Sequence, residues 1–393
     1  MIRTRLKKIV DECFRAGINE GLWSNGAADK YTVEVPKHEN QGDFSTNIAL
    51  VLAGIEKKNP REIAALIADR LKQEQQLIDS VDVAGPGFIN LTIRDAVWQH
   101  LLGEIESRGE AFGRSEIGLN RRVMVEFVSA NPTGPLSIGH GRQAILGDGI
   151  ARLLEATGHE VFREYYYNDA GRQMRVLGES ARARYLELLG REHAFPEDGY
   201  QGEYIYDIAK RLIETKGQSL VESDSIEPFK LAAERSIFED ISATLARMGI
   251  TFDNYYNEQS LYEDGHVDSV IKELTDKGLV YEKDGATWFK TTELGQEKDR
   301  VIIKSSGEPT YRLPDIAYHR EKFKRNFDWL VDIFGSDHIA TVPDVKAGVE
   351  VLGYDSSRIT VILHQFVTLM RDVKQVKMST LTANFITVDE LLD

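Results

Sequence analysis

The sequence predicts an α/β protein: a parallel sheet split by a mostly helical insertion and preceded by a small α+β domain. Three observations carry this. VMVEFV (Val123–Val128) is an apolar run broken only by Glu126, as expected of a strand buried on both faces of a parallel sheet. A glycine-punctuated loop, a helical stretch and a second strand-like run follow it, which is the order of a βαβ unit. Strand-like runs that could continue the sheet return only after residue 300, beyond a long stretch of helical character.

Taken in order, a helix over Arg5–Ala16 leads to a strand, Tyr31–Val35, and the turn-rich PKHENQGDFSTN. A short helical stretch over Ile48–Ala53 precedes a helix over Pro60–Glu74, with Pro60 placed for a first turn. SVDVAGPGFINLTI reads as two short strands around Gly85-Pro86-Gly87. After VMVEFV, the helix AILGDGIARLLEATG (144–158) stops at Gly158, and VFREYYY (161–167) is the next strand. The insertion carries a hairpin turning at Asp284-Gly285. VIIKSS (301–306), WLVDIFG (329–335) and ITVILHQFV (359–367) then resume the parallel sheet. The expected divisions are 1–112, 113–170, 171–300 and 301–393. Thr387-Val-Asp-Glu390 is a capping box with only three residues after it. So short a helix does not hold itself in water, and a truncated chain is expected.

Composition narrows the function. A chain of 393 residues suffices for two to three domains. No apolar run approaches the ~20 residues needed to cross a bilayer, and the basic N-terminus lacks the apolar core of a signal peptide. The single cysteine, Cys13, excludes an internal disulfide and a multi-cysteine zinc site, so a cytoplasmic protein without structural zinc is expected. The nine histidines include no helical i, i+4 pair, so no resident metal site is expected, leaving Mg²⁺ brought by a nucleotide. The net charge of −15 argues against sequence-independent coating of nucleic acid. It leaves local basic patches open: HREKFKR (319–325) and Lys7-Lys8 read either as RNA-facing or as solvated helix faces.

The loop FVSANPTGPLSIGHGRQAILGD (127–148) is the chemical centre of the sequence. Its glycines serve either a tight turn alone, a dinucleotide or a mononucleotide. Gly139-His-Gly141-x-x-Ala144 matches a dinucleotide fingerprint, with Glu160 or Glu164 as ribose partner. Against that, Asn131-Pro-Thr-Gly-Pro135 makes the loop too long. In the mononucleotide reading, a helix N-terminus faces phosphate, Gly139 admits the nucleotide and a histidine donates to the phosphoryl region.

ANPTGPLSIGHGR with NDAGRQ closely resembles the signature region of arginyl-tRNA synthetases, a class I family, with Ser137-Ile138-Gly139-His140 in the place of HIGH. GDFSTN, GPGFIN, YQGEYIYDIA, DGATWF, KDRVIIKSSGEPTYRLPDIAYH, GSDH and VKMST follow in family order, over essentially the whole chain. The resemblance implies a Rossmann-type class I synthetase catalytic domain, preceded by a tRNA-contacting domain, that activates L-arginine with ATP and transfers it to tRNA(Arg). Mg²⁺ would arrive with ATP, and a monomer is expected. It implies a catalytic set of His140, Ser137 and Lys377, and ATP contacts from Pro135, Ser137, Gly139, His140, Gly141, Lys377, Met378 and Ser379. Arginine contacts would come from Glu126, Ser129, Asn131, His140, Tyr311, Asp315, Asp337 and His338. A guanidinium is always charged and needs anionic partners; a lone carboxylate in an apolar strand is costly unless paired. Glu126 therefore reads either as a substrate partner or as the partner of a fixed arginine of the chain.

The sequence departs from the pattern at Ser137, where the family carries a histidine, at Thr380-Leu381, where a cation is expected, and in lacking a helical anticodon-binding domain. The competing classes are an impaired or non-catalytic arginine- or tRNA-binding paralogue and, more remotely, a dinucleotide oxidoreductase.

Overall fold

The computed structural model describes residues 2–365, 367, 369–371, 374–376 and 385–393. The chain divides into two units, Met1–Gly113 and Arg114–Asp393.

In the first unit, helix α1 (Ile2–Asn19) buries Leu6, Val10, Phe14 and Gly17, a helical period that gives it one apolar face. Strands β1 (Val33–Glu34) and β2 (Phe44–Thr46) precede helices α2 (Ile48–Glu56) and α3 (Pro60–Leu71), then strands β3 (Ile78–Ala84) and β4 (Phe88–Ile93). The strands form an antiparallel sheet in the order β1-β2-β4-β3. Asn59 caps α3 by accepting the Arg61 N–H at 2.9 Å, with Pro60 in the first turn. Helix α4 (Asp95–Arg108), which the sequence reading passed over, packs Val97, Trp98 and Leu101 against this unit's core although none of its residues is fully buried.

The second unit begins with β5 (Arg122–Glu126), α5 (Ile138–Ala156) and β6 (Glu160–Tyr167). Helices α6 (Gly171–Leu188), α7 (Glu203–Lys216) and α8 (Glu227–Arg247) lead to β7 (Asn254–Asn257), α9 (Gln259–Glu263) and α10 (His266–Asp276). Then come β8 (Val280–Lys283), β9 (Ala286–Phe289), β10 (Arg300–Ile303), α11 (Arg312–Lys324) and β11 (Trp329–Gly335). The last elements are α12 (Val342–Val351), β12 (Ile359–His364), the short pair β13 (Leu369–Arg371) and β14 (Lys374–Val376), and α13 (Asp389–Leu392).

A five-stranded parallel sheet, β12-β11-β5-β6-β7, is the frame, and the α/β fold class expected from the sequence holds. Its edge strand β7, four residues reading NYYN, was too short and too polar to be foreseen. The stretch expected as VIIKSS does not rejoin the parallel sheet. As β10 it pairs antiparallel with β9, extending the β8–β9 hairpin into a separate three-stranded sheet. That hairpin turns at Asp284 and Gly285, both at positive φ, as two-residue turns require.

Strand alternation sends Val123, Val125, Val331 and Ile333 to one face of the sheet, into a core shared with α5, α6 and α8. Met124 and Leu330 face the other side, into a core with α10, α11 and α12. HREKFKR is therefore no surface patch. It lies in α11, where His319, Arg320 and Lys322 are 5%, 4% and 0% exposed, because His319 and Lys322 meet the acids of the sheet and Arg320 packs on α10.

Helix α5 reaches β5 only because Gly147 has no side chain: a Cβ there would stand 2.2 Å from the Phe127 ring. Gly147→Ala should destabilise the chain by about 1–3 kcal/mol through overpacking, outweighing alanine's better helix propensity. Urea unfolding measures this, and a neutral or stabilising result would contradict the packing argument.

Candidate functional site

In a parallel sheet, ligands bind beyond the carboxyl ends of the strands where strand order reverses, here between β5 and β11. A cavity of about 710 Å³ opens there, lined by Glu126, Ser129, Asn131, Ser137, Gly139, His140, Tyr311, Asp315 and His338. These come from the β5–α5 loop, the first turns of α5 and α11, and the turn after β11. Pro135 and Gly141 do not line it. Lys377, Met378, Ser379, Thr380 and Leu381 lie outside the described residues, as does the side chain of Asp337.

The loop leaving β5 is strained. Val128 and Ser129 have φ of 67° and 42°, a region that β-branched residues rarely enter. Neighbouring bonds hold it. The Ser129 N–H donates to Phe127 O at 3.0 Å. The Ser129 hydroxyl donates to Glu126 Oε1 at 3.0 Å and accepts the Tyr166 N–H at 3.1 Å. Asn131 bridges onward, accepting the Asn168 N–H at 3.0 Å and donating to Gln173 at 3.2 Å.

One wall of the cavity is acidic. Glu126 is ion-paired with Lys322, which also donates to Asp332 Oδ1 at 2.6 Å; all three are buried. Of the two readings of Glu126, the partner of a fixed cation is the one met here, with a lysine in place of the arginine. His319 Nε2 lies 3.0 Å from Asp332 Oδ2, and its Nδ1 lies 2.7 Å from Asp315 O. Lys322 and His319 hold the Asp332 carboxyl well below its usual range against the cost of burial. Glu258, on α9's N-terminal side, accepts the Tyr166 hydroxyl and the Asn168 amide, each at 2.7 Å, and burial pushes its carboxyl up. Asp315 has no such support: among the described residues nothing donates to its carboxylate. Burial pushes it up to about 7, with Glu258 and Glu126 adding to the shift and His319 and Lys322 opposing it.

The opposite wall is the first turn of α5, which begins at Ile138, six residues earlier than the sequence pattern suggested. Ser137 is its N-cap residue. The Ser137 N–H donates to His140 Nδ1 at 3.2 Å, placing the ring proton on Nε2, and the serine Oγ lies 3.3 Å from the same nitrogen. Burial, aided by His364, pushes His140 down to about 4, so at neutral pH it is an uncharged donor. A Cβ on Gly139 would meet only Ser137 Oγ, at 3.5 Å, and otherwise open space. Gly141 is buried against Val388 instead. Lys346, on α12 across the sheet from α5, also lines the cavity and donates to Ile359 O at 3.0 Å.

Sequence reasoning missed Glu258, Tyr166, Asn168, His319, Lys346 and His364, all of which line the cavity. Asn168, inside NDAGRQ, and His319, the last residue of KDRVIIKSSGEPTYRLPDIAYH, lay in segments that carry the resemblance but were not singled out. The dinucleotide reading offered two acids, and neither lines the cavity: Glu160 opens β6 at the strand's amino end, where it pairs with Arg122 at 3.4 Å. Glu164, a proposed ribose partner, is fully buried and bound by Arg325 at 2.7 Å and the Tyr318 hydroxyl at 3.1 Å. No cluster of three or more metal-ligating side chains occurs among the described residues, and no helix there is long and apolar enough to cross a membrane.

The parallel sheet with its long β5–α5 loop and two-walled cavity is that of a class I tRNA synthetase. The family described as "tRNA synthetases class I (R), catalytic domain" matches residues 105–393, and "Arginyl tRNA synthetase N terminal domain" matches residues 1–93. The chain belongs to the arginyl-tRNA synthetase family. It is 72% identical over 393 residues to the arginine–tRNA ligase of Desulfotalea psychrophila, covering all of this chain and 71% of that protein. It is 47% identical to that of Salinibacter ruber, again over 100% of this chain and 71% of the relative. The Thermus thermophilus arginyl-tRNA synthetase structure shares the fold with a TM-score of 0.68 at 20% identity, covering 100% of this chain and 69% of that one.

The raised Asp315 carboxyl has a stability consequence. Between about pH 4 and pH 7 the folded chain holds a proton that an unfolded aspartate has released, so this group's contribution falls as pH rises through that window. Asp315→Asn should therefore raise the melting temperature at pH 8 and change it little at pH 4. A drop at pH 8 would mean that the carboxylate has a stabilising partner.

Proposed function

We propose that this chain joins L-arginine to tRNA(Arg) at the expense of ATP, with both small substrates in the one cavity. The observation that carries this is the division of its walls. An unsatisfied carboxylate, Asp315, stands with Glu258 and Glu126 on one side, and neutral donors on a glycine-opened helix start form the other.

A guanidinium brings a fixed positive charge and planar donors, which answer the shortage of cations around Asp315. Asp315 and Glu258 take that group, with Tyr311 at the cavity mouth, and Glu126, Ser129 and Asn131 face the α-amino end. Bound arginine favours the ionised form of Asp315, reversing what burial alone does. Its carboxylate oxygen attacks the α-phosphorus of ATP and pyrophosphate leaves, giving arginyl-adenylate. The terminal ribose hydroxyl of the tRNA then attacks the activated carbonyl and releases AMP. Charge develops on phosphoryl oxygens in the first step, so fixed donors and correct placement supply most of the acceleration. His140 contributes through Nε2–H, Gly139 through the room it leaves, and Lys377 as a cation on the second signature. Mg²⁺ enters as part of the MgATP substrate. Ser137 acts here as the cap that orients His140, a task that asks for a short hydroxyl and no charge.

The test is ATP–pyrophosphate exchange with each amino acid, with and without tRNA. Of the amino acids, only arginine should support exchange, and the family resemblance implies that tRNA must be present. Exchange with another amino acid in place of arginine would overturn the substrate assignment, and no exchange under any condition while arginine still binds would overturn the catalytic reading in favour of a binding paralogue.

Arginine affinity carries a pH signature. Below pH 7, protons compete with the guanidinium for Asp315, so the dissociation constant measured calorimetrically should rise towards about tenfold per pH unit. Asp315→Asn should bind weakly and lose this dependence. An unchanged pH profile in the variant would remove Asp315 from the site.

A further inference from the structure

The capping box at Thr387–Glu390 does something that the reaction above does not use. We propose that residues 386–389 form a strap that positions the Ser137–His140 turn from outside the cavity, and that Gly141 is a glycine for the sake of this strap and not for the nucleotide. The proposal rests on the reading of that turn as phosphate-facing.

Main-chain bonds run both ways between the strap and the turn. The Ile138 N–H, the first donor of α5, goes to Ile386 O at 3.0 Å, and the Val388 N–H goes to Leu136 O at 2.8 Å. Ser137 and Thr387 are thereby paired as an antiparallel bridge. Val388 is 3% exposed and packs where α5 has no side chain. A Cβ on Gly141 would lie 2.9 Å from Val388 Cγ2, closer than such contacts allow.

The strap is shaped by its own capping box and anchored at its far end. The Thr387 N–H donates to Glu390 Oε2 at 2.7 Å, and the Glu390 N–H donates to Thr387 Oγ1 at 3.1 Å. Asp389 accepts the Thr244 hydroxyl and Arg247 Nη1, each at 2.6 Å, and Arg247 Nη2 reaches Asp393 at 2.6 Å. Thr244 and Arg247 belong to α8, on the helical insertion. One short segment thus ties that insertion to the turn carrying His140, and no atom of it lines the cavity. Asp389 and Arg247 are positioning residues, acting on the reaction only through Val388 and the turn.

Two measurements on this chain decide the matter. Hydrogen exchange tests the strap independently of activity: Arg247→Ala with Asp389→Ala should speed exchange at the Ile138 and Val388 amides at least tenfold, with the β5 and β11 amides unaffected. Unchanged exchange at those two amides overturns the strap even if the phosphate-facing reading is sound. Pyrophosphate exchange tests Gly141: Gly141→Ala should lower kcat about tenfold at unchanged arginine affinity, and adding Val388→Ala should restore most of it. A double variant that stays slow with a raised KM for ATP assigns Gly141 to the nucleotide, and a harmless Gly141→Ala shows that the strap makes no demand on this position; either result overturns that half of the proposal.

Discussion

The second unit is organised around a line of buried acids across its sheet. Asp332 on β11, Glu126 on β5 and Glu164 on β6 are register partners, with Asn254 of β7 next in the row. All three carboxylates face α11 and are at most 2% exposed. Left alone, they would repel one another in a poorly solvated space. Helix α11 answers them at helical spacing, with Tyr318, Lys322 and Arg325. Removing one member of such a buried pair typically costs about 3–5 kcal/mol, because the other charge is stranded. The network therefore fixes where α11 lies on the sheet. That position brings Asp315, one turn before His319, to the rim of the cavity.

The same arrangement divides the labour of the cavity electrically. Lys322 compensates Glu126 and Asp332 but stops short of Asp315, leaving one carboxyl poised near neutrality beside a satisfied network. Across the cavity, His140 is kept uncharged by burial and held by a backbone donor. The strained turn at Val128 and Ser129 joins the two walls, since Ser129 binds Glu126 and the loop continues into the cap of α5. Strain of this kind persists where surrounding bonds over-determine the backbone.

Much of this was legible in the residues. The apolar run of β5, the glycines after it and the capping box at Thr387 are local signals, and they gave the sheet, the loop and the start of α13. Local signals also explain the errors. Lys322 and Glu126 are 196 residues apart, so a basic stretch in α11 read as a surface patch until the fold placed it against acids. β10 had a strand's composition, but composition does not name a partner, and the neighbouring hairpin claimed it. Glu258 follows a four-residue edge strand and had no pattern to announce it. The resemblance to a family supplied Tyr311, Asp315 and His338, which no spacing rule would have grouped; the cavity brings them together.

Gly139 has a further consequence. Its missing side chain borders void rather than protein, unlike that of Gly141 or Gly147. A Cβ there meets no backbone or core side chain, so a substitution places little demand on folding while it narrows the space beside the helix start. The motif thus contains a position where fold and ligand occupancy are separable. It offers a means of making a correctly shaped but sterically plugged molecule, able to compete for a macromolecular partner without consuming a nucleotide.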